Sequence, residues 1–526
     1  MRKLFVLGVD GATLDVLKPW IDEGHLPGFQ GLLGEGGHAV LKSSIPFLSP
    51  VAWTSIATGV NPGKHGIYDF LLKKHIDEAK THVFTFATGG DRKTKAFWEI
   101  LSQHGKRCII ANMPCSYPPD PINGIMISGW DAAREPSKGF YPREIYNEII
   151  EKFGGYYMVP LDLISKSELA GDDPKSEEKL KDALLKMAEL RREVFLYLAR
   201  KYPWDIFFGV FYETDTAQHR FWKERHDPDN PILRVYKEID RFILELVTEF
   251  GEEIDIMAVS DHGFSDLISG VDLNFYLEQL GLLKRDLSVS KSLVFKMLQK
   301  MPNLRRLLKS FSGKRWMPER FETLKPRHMT IDFEKSRIFF EGMYPFFNVL
   351  GDEDPQQLYE ILKKGILSLE HNGTAVFKDV LSREEVFWGP YVHEIPEFIG
   401  IMDERFEVSG AEVFMGNGMF HREVFCDHIW AGNHTENGTF IFRGKNMDTE
   451  RLPDASVMDI APTILVHQGL AVPSEMDGKP IKEVIRGQDI RFSDETIYKD
   501  QNIHGSWKKK EDMDLLKDRL ESLGYL

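Results

Sequence analysis

Three short apolar runs in this chain each lead into acidic residues, and that pattern restricts the fold more than any other feature. The first is Lys3-Leu-Phe-Val-Leu-Gly-Val-Asp10. The second, Trp204-Asp-Ile-Phe-Phe-Gly-Val-Phe-Tyr212, is followed by Glu213, Asp215 and His219. The third, Ile254-Asp-Ile-Met-Ala-Val-Ser260, runs into Asp261-His262-Gly263. Runs this short and this continuously apolar read as strands buried on both faces. Stretches with helical periodicity lie around them, at Thr13 to Ile21, Ala96 to Gln103, Lys175 to Arg200 and Phe242 to Phe250. Further strands are predicted over 38–45, from Arg107 to Ala111 and from Thr439 to Arg443. Strands alternating with amphipathic helices predict an α/β fold, a mainly parallel sheet sandwiched by helices. In such sheets the binding crevice lies beyond the carboxyl ends of the strands, so the acidic clusters should meet there.

A second feature is Phe47-Leu-Ser-Pro-Val-Ala-Trp-Thr-Ser-Ile-Ala-Thr-Gly59, continuing through Asn61-Pro-Gly-Lys-His-Gly66. Ser49 is predicted as a helix N-cap, with Pro50 at the first helical position and Gly59 closing the helix in a left-handed cap. A hydroxyl there feels the positive end of the helix dipole, which favours its ionised, nucleophilic form. Ordinary capping explains the same serine equally well.

Composition narrows the functional classes. The net charge of −15 and pI near 5.7 exclude a general nucleic-acid binder. Three cysteines, Cys108, Cys115 and Cys426, form neither a disulfide framework nor a CxxC pair, which fits a reducing compartment. The N-terminal apolar run is too short for a signal peptide, and no stretch approaches the ~20 apolar residues of a membrane span. The expected location is the cytoplasm.

Lys284 to Arg327 departs from this acidic background, with 13 Lys or Arg against 3 Asp or Glu. Its leucines recur at helical spacing, so it reads as cap helices with solvated basic faces. Attraction of anionic substrates, or peripheral contact with an anionic membrane, are the alternatives. The expected organisation is a core of residues 1–283 and 431–486, an inserted cap at 284–430, and a charged tail at 487–526 with a helix from Glu511 to Leu523. Oligomeric state is not legible.

Several residues suit metal binding. Asp215 and His219 are four apart, so one helical turn places both on one face. A surface salt link is the plainer reading of that pair, and Asp261-His262 reads equally well as the cap of a following helix. Asp10 alone is a turn residue. Together, hard carboxylates and imidazoles without thiolate, gathered around a hydroxyl, suit two divalent cations such as zinc or manganese.

These residues, in this order, resemble the alkaline phosphatase superfamily, and within it the type I phosphodiesterase/nucleotide pyrophosphatase branch. The resemblance runs through Gly8-Val-Asp10, Ser49, Thr58-Gly59, Pro62, His65-Gly66, Asp215-x-x-x-His219, Asp261-His262-Gly263 and Gly432-Asn-His434. It continues to Asp459-Ile-Ala-Pro-Thr463 and Asp477-Gly-Lys-Pro480. It implies one metal held by Asp215, His219 and His434. A second would be held by Asp10, Asp261 and His262, with Ser49 as ligand and nucleophile. The implied reaction is hydrolysis of a small phosphate ester through a phosphoseryl intermediate, most closely that of a phosphodiesterase or nucleotide pyrophosphatase. The alternatives are a phosphomonoesterase, a phosphotransferase or phosphomutase, or a binding protein without turnover.

The chain departs from the family pattern in places. Serine replaces the threonine of many phosphodiesterases. Thr435 follows His434 where glycine is usual, which leaves His428 as a second candidate for that ligand. Phe70 stands where nucleotide pyrophosphatases place an Asn that binds a phosphoryl oxygen, so nucleotide specificity does not carry over. With Trp53 and Phe70 as expected aromatic walls and no obvious Arg nearby, a diester is the expected substrate. Lys64, Arg220 or a cap residue are the candidates for any additional positive charge.

Overall fold

The computed structural model describes residues 2–76, 82–132, 135–169, 173–284, 331–351, 354–408, 423–426, 430–445, 447, 450–499 and 510–523. The basic segment beyond Lys284, with its possible membrane or substrate contact, lies outside the described residues, as does His428.

The three apolar runs form Lys3–Val9, Ile206–Phe211 and Ile254–Val259, and they lie side by side at the centre of one large sheet. Lys3–Val9 pairs in parallel with both of the others, so their carboxyl ends open in the same direction. Cys108–Met113 and Gly124–Ser128 extend the parallel run on one side. Asn437–Arg443 joins antiparallel on the other side, and Gly37–Lys42 lies beyond it.

Alternating side chains bind helices to both faces of the sheet. Phe207 meets Phe195 of helix Pro174–Lys201, and its neighbour Phe5 meets Phe242 of helix Pro231–Phe250. Phe208 points the other way, against Trp53 of helix Ser49–Thr58 and Phe97 of helix Phe97–Gln103. Strands covered on both faces must be apolar throughout, which is why these segments lack polar alternation.

Between Ile254–Val259 and Asn437–Arg443 the chain builds smaller sheets. Ile338–Phe340, Phe346–Val349, Phe398–Met402 and Phe377–Ser382 form an antiparallel four-stranded sheet, in that spatial order. Helix Pro355–Leu367 packs on it through Tyr359 and Phe398. Asp69 ties this region to the core: its carboxylate accepts the backbone N–H groups of Met343 and Tyr344, besides that of Leu71. The predicted C-terminal helix is present as Lys510–Leu523, and it is docked, with Leu516, Leu520 and Leu523 buried. Among the described residues no helix is long and apolar enough to cross a membrane.

Candidate metal centre and active site

Asp10 is the first residue past Lys3–Val9, and its backbone N–H donates to the Phe211 carbonyl at 3.0 Å, continuing the parallel ladder. Gly11 then turns the chain at φ +68°, and any side chain there would strike Gln218. Ile206–Phe211 passes straight into helix Glu213–Phe221, which places Asp215 and His219 one turn apart on a buried face. Asp261 and His262 follow Ile254–Val259. The next strand, Gly263–Asp266, pairs antiparallel with Gly432–Thr435, and this register sets His434 opposite Phe264. The three acidic strand ends therefore converge, as the sheet argument requires.

Ser49 arrives from the far side. It is the first residue of its helix, with Leu48 as N-cap, so the predicted N-cap role falls one residue too late. The Leu48 carbonyl accepts from Val51 and Ala52 and closes the first turn by itself. The Ser49 Oγ lies 3.2 Å from His262 Nε2. Gly59 does close the helix in the left-handed region, at φ 70°.

The imidazoles share one arrangement. Nδ1 of His219 faces the Gly432 carbonyl at 3.0 Å, Nδ1 of His434 faces that of Phe47 at 3.2 Å, and Nδ1 of His262 faces that of Gly263 at 3.1 Å. A carbonyl at Nδ1 holds the proton there and leaves the Nε2 lone pair pointing inward. Nε2 of His219 and His434 approach to 2.9 Å, and Asp215 Oδ1 lies 3.1 Å from the latter. His262 Nε2 lies 3.4 Å from Asp10 Oδ1 and 3.3 Å from Asp261 Oδ2.

These atoms form two groups with metal-ligand spacing, Asp215 with His219 and His434, and Asp10 with Asp215 and His262. The first is the set expected from the sequence. In the second, Asp215 is shared, a role the sequence does not suggest, while Asp261 stands beside it through His262. Asp10 Oδ1, Asp215 Oδ2 and Asp261 Oδ2 are buried and accept no hydrogen bond among the described residues. Buried carboxylate oxygens without partners are costly unless a cation meets them.

Charge makes the same point. Burial, then the negative charges of Asp261 and Asp215, pushes the Asp10 carboxyl well above its ordinary range. Asp261 is raised to about 7 by burial and by Asp215. Burial works against ionised Asp215 too, but His219 and His434 hold it below the usual carboxylate range. His219 and His262 are both lowered by burial, which favours the neutral imidazole. Three carboxylates and a serine alkoxide carry four negative charges, which two divalent cations would balance.

Residues 4–413 match the family model described as type I phosphodiesterase/nucleotide pyrophosphatase. The chain belongs to this phosphodiesterase family. Membership places it among the phosphoric ester hydrolases. His434 lies beyond the matched residues, and the pairing with Gly263–Asp266 brings it in.

No curated protein sequence matches the chain. Similar solved structures include phosphonoacetate hydrolase from Sinorhizobium meliloti 1021 in complex with phosphonoformate. It shares 13% identity at a TM-score of 0.53, over 88% of this chain and 94% of that one. Human ectonucleotide pyrophosphatase/phosphodiesterase 5 shares 12% at 0.50, over 93% and 100%. At these identities the likeness is one of fold, an alkaline-phosphatase-like sheet with its helices.

Other residues singled out in the sequence serve the scaffold. Glu213 is paired with buried Arg191, whose Nε donates to it at 2.6 Å, and so is turned away from a ligand role. Lys64 is bound to Asp477 at 2.7 Å and to the Glu475 carbonyl, which removes it as a charge for substrate. Asp459 accepts from the backbone of Lys479 and Ser456. Trp53 is fully buried, no pocket wall, and its Nε1 donates to Asp10 Oδ2 at 2.8 Å. A Cβ on Gly8 would lie 2.8 Å from that indole, so the glycine of Gly8-Val-Asp10 makes room for the Trp53–Asp10 bond. Thr214 Oγ1 holds the Asp10 carbonyl at 2.6 Å. Neither Trp53 nor Thr214 carries a sequence signal for this role beyond its place next to a motif.

Beside His219 and His434 lies a cavity of about 50 Å³. Phe70 is one of its walls, backed by Trp130 at 5.7 Å between ring centroids, so an apolar ring does occupy the wall where a donor was sought.

Proposed function

We propose that this chain is a two-metal phosphodiesterase acting through a phosphoseryl intermediate. The observation that carries the reading is the convergence of Ser49 Oγ, at 3.2 Å from His262, with buried carboxylate oxygens that accept no hydrogen bond among the described residues. Asp215, His219 and His434 would hold one ion, and Asp10, Asp261, His262 and Ser49 the other, with Asp215 beside both. Zinc suits this mixed oxygen and imidazole set best, with manganese as the alternative. When bound, the ions supply Lewis-acid stabilisation of the serine alkoxide, the non-bridging oxygens and the leaving oxygen.

The chain's own part follows from its geometry. The N-terminus of helix Ser49–Thr58 favours the ionised form of a hydroxyl at its first position. Ser49 Oγ forms a bond to phosphorus as the bond to the departing alcohol oxygen breaks, and water later restores the serine. Trp53 keeps Asp10 in place, and the carbonyls of Phe47, Gly263 and Gly432 keep three imidazoles oriented. The three free cysteines support a cytoplasmic setting. The deciding experiment is an assay of metal-reconstituted protein against bis-p-nitrophenyl phosphate, with the phosphorylated residue mapped. No turnover with any phosphodiester would reject the reading.

A further inference from the structure

Two residues before Asp215 stands one half of a buried ion pair that the proposed reaction does not use. Arg191 of helix Pro174–Lys201 and Glu213, the first residue of helix Glu213–Phe221, are both buried. Arg191 Nε donates to Glu213 Oε1 at 2.6 Å, and its Nη2 pairs with the same oxygen. The guanidinium also lies over the Tyr212 ring, 4.3 Å from the centroid. A buried pair of this kind is weak evidence for stability. Desolvation offsets much of its attraction, and apolar residues of similar volume often replace it without loss. What it supplies is direction, because a planar guanidinium meets a carboxylate in a narrow range of orientations.

Asn112 is an independent sign that this orientation matters. It is fully buried near the end of strand Cys108–Met113, at φ 63°, a strained backbone for a residue other than glycine. The pairing with Gly124–Ser128 shifts register there, between Ala111 and Met113. Such bulges occur beside active sites, where they re-aim a side chain. Here the re-aimed amide lies between Arg191 and the Tyr156 hydroxyl and hydrogen-bonds to both.

The turn that follows carries three side chains fixed in succession. Glu213 is tied to Arg191, Thr214 Oγ1 donates to the Asp10 carbonyl at 2.6 Å, and Asp215 reaches both ligand groups. Gln218, further along the helix, donates to the Gly11 carbonyl at 3.0 Å. A turn of helix moves as a unit, so any displacement of Glu213 is passed on to Asp215. Metal–ligand distances tolerate only about 0.2 Å, and Asp215 is the residue that both groups share.

Resting on the two-metal reading above, we propose that Arg191, held by Asn112, is a positioning residue for Asp215. The network sets the first turn of helix Glu213–Phe221 where both ions need their shared ligand. It does so without being required for the stability of the fold. Arg191 and Asn112 both lie outside the metal-binding motifs, on a neighbouring helix and a neighbouring strand.

The full-length Arg191→Met/Glu213→Leu double variant tests this, since apolar groups of similar size replace the pair. It is expected to melt within a few degrees of the parent. Its affinity for Zn2+, read by competition with a chelator of known affinity, should fall about 10- to 100-fold. Asn112→Gly, which relieves the backbone strain and removes the amide, should weaken zinc binding in the same direction with a normal melt. Parent affinity in either folded variant overturns the proposal. A double variant that melts far below the parent overturns it too, because the pair is then a stability element. Parent protein that binds no zinc would reject the two-metal reading and this proposal with it. Parent protein that binds zinc but cleaves no phosphodiester would reject the hydrolase reading and leave the positioning role standing.

Discussion

Ser49 Oγ and His262 Nε2 lie 3.2 Å apart, although 213 residues of chain separate them. One comes from the start of a helix and the other from the end of a central strand, so the contact exists only when the whole sheet is formed. Because Leu48 rather than Ser49 is the N-cap of that helix, removal of the hydroxyl should cost little stability. Ser49→Ala is expected to melt within a few degrees of the parent and to lose roughly 10³-fold or more in kcat. Ser49→Thr should retain measurable turnover. Steady-state kinetics and mass-spectrometric trapping of a phosphorylated residue check both, and a phosphate found elsewhere than Ser49 would refute the assignment.

Sharing of Asp215 between the two ligand groups sets up a graded metal experiment. Asp215→Ala should lower bound metal by about two ions per chain and His219→Ala by about one, read by elemental analysis of purified protein. Exhaustive chelation should abolish turnover, and added zinc or manganese should restore it. Equal metal loss in the two variants would show that Asp215 serves a single site.

Trp53→Phe keeps the aromatic packing and removes the donor to Asp10. Metal affinity is expected to fall about 10- to 100-fold, as is usual when a partner that orients a ligand is lost. Competition with a chelator of known affinity measures it. An unchanged affinity would mean that Asp10 is held without the indole.

Asp69 gives a pH-dependent prediction. Burial raises its carboxyl from 3.8 to about 7 in the folded protein, so the folded state binds more protons than the unfolded state between those values. The stability contributed by this group is therefore fully present below pH about 4 and is lost as pH rises through about 7. Thermal melts of Asp69→Asn should lack that component of the slope. Asp69→Ala leaves the Met343 and Tyr344 N–H groups without an acceptor, at about 2–5 kcal/mol in total. If Asp69→Asn follows the parent across pH 4 to 7, Asp69 is not the group responsible.

A preference for diesters follows from the charge of the site. Among the described cavity-lining residues there is no Lys or Arg to meet the second negative charge of a monoester, and Lys64 is committed to Asp477. On one metal-loaded preparation, kcat/KM should be higher for bis-p-nitrophenyl phosphate than for p-nitrophenyl phosphate. The reverse order would reassign the chain to phosphomonoester chemistry.

The sequence alone determined the parallel sheet and most of the residues that gather at its carboxyl ends. A strand buried on both faces has to be continuously apolar, so Lys3–Val9, Ile206–Phe211 and Ile254–Val259 were legible one by one. A residue just past the end of such a strand sits at the crevice wherever the strand lies in the sheet, which is why Asp10, Asp215 and Asp261 were legible too. Tertiary structure decided what depends on distance between segments far apart in sequence. Sharing of Asp215 between two groups is a matter of a few ångströms and has no local signature. The choice of His434 depends on its register against Gly263–Asp266. Trp53 and Lys64 looked like substrate contacts beside a motif until their partners, Asp10 and Asp477, were in place. Periodicity and capping act over a few residues and can be read along the chain, whereas a ligand sphere or a buried ion pair is assembled from side chains that only the folded core brings within reach.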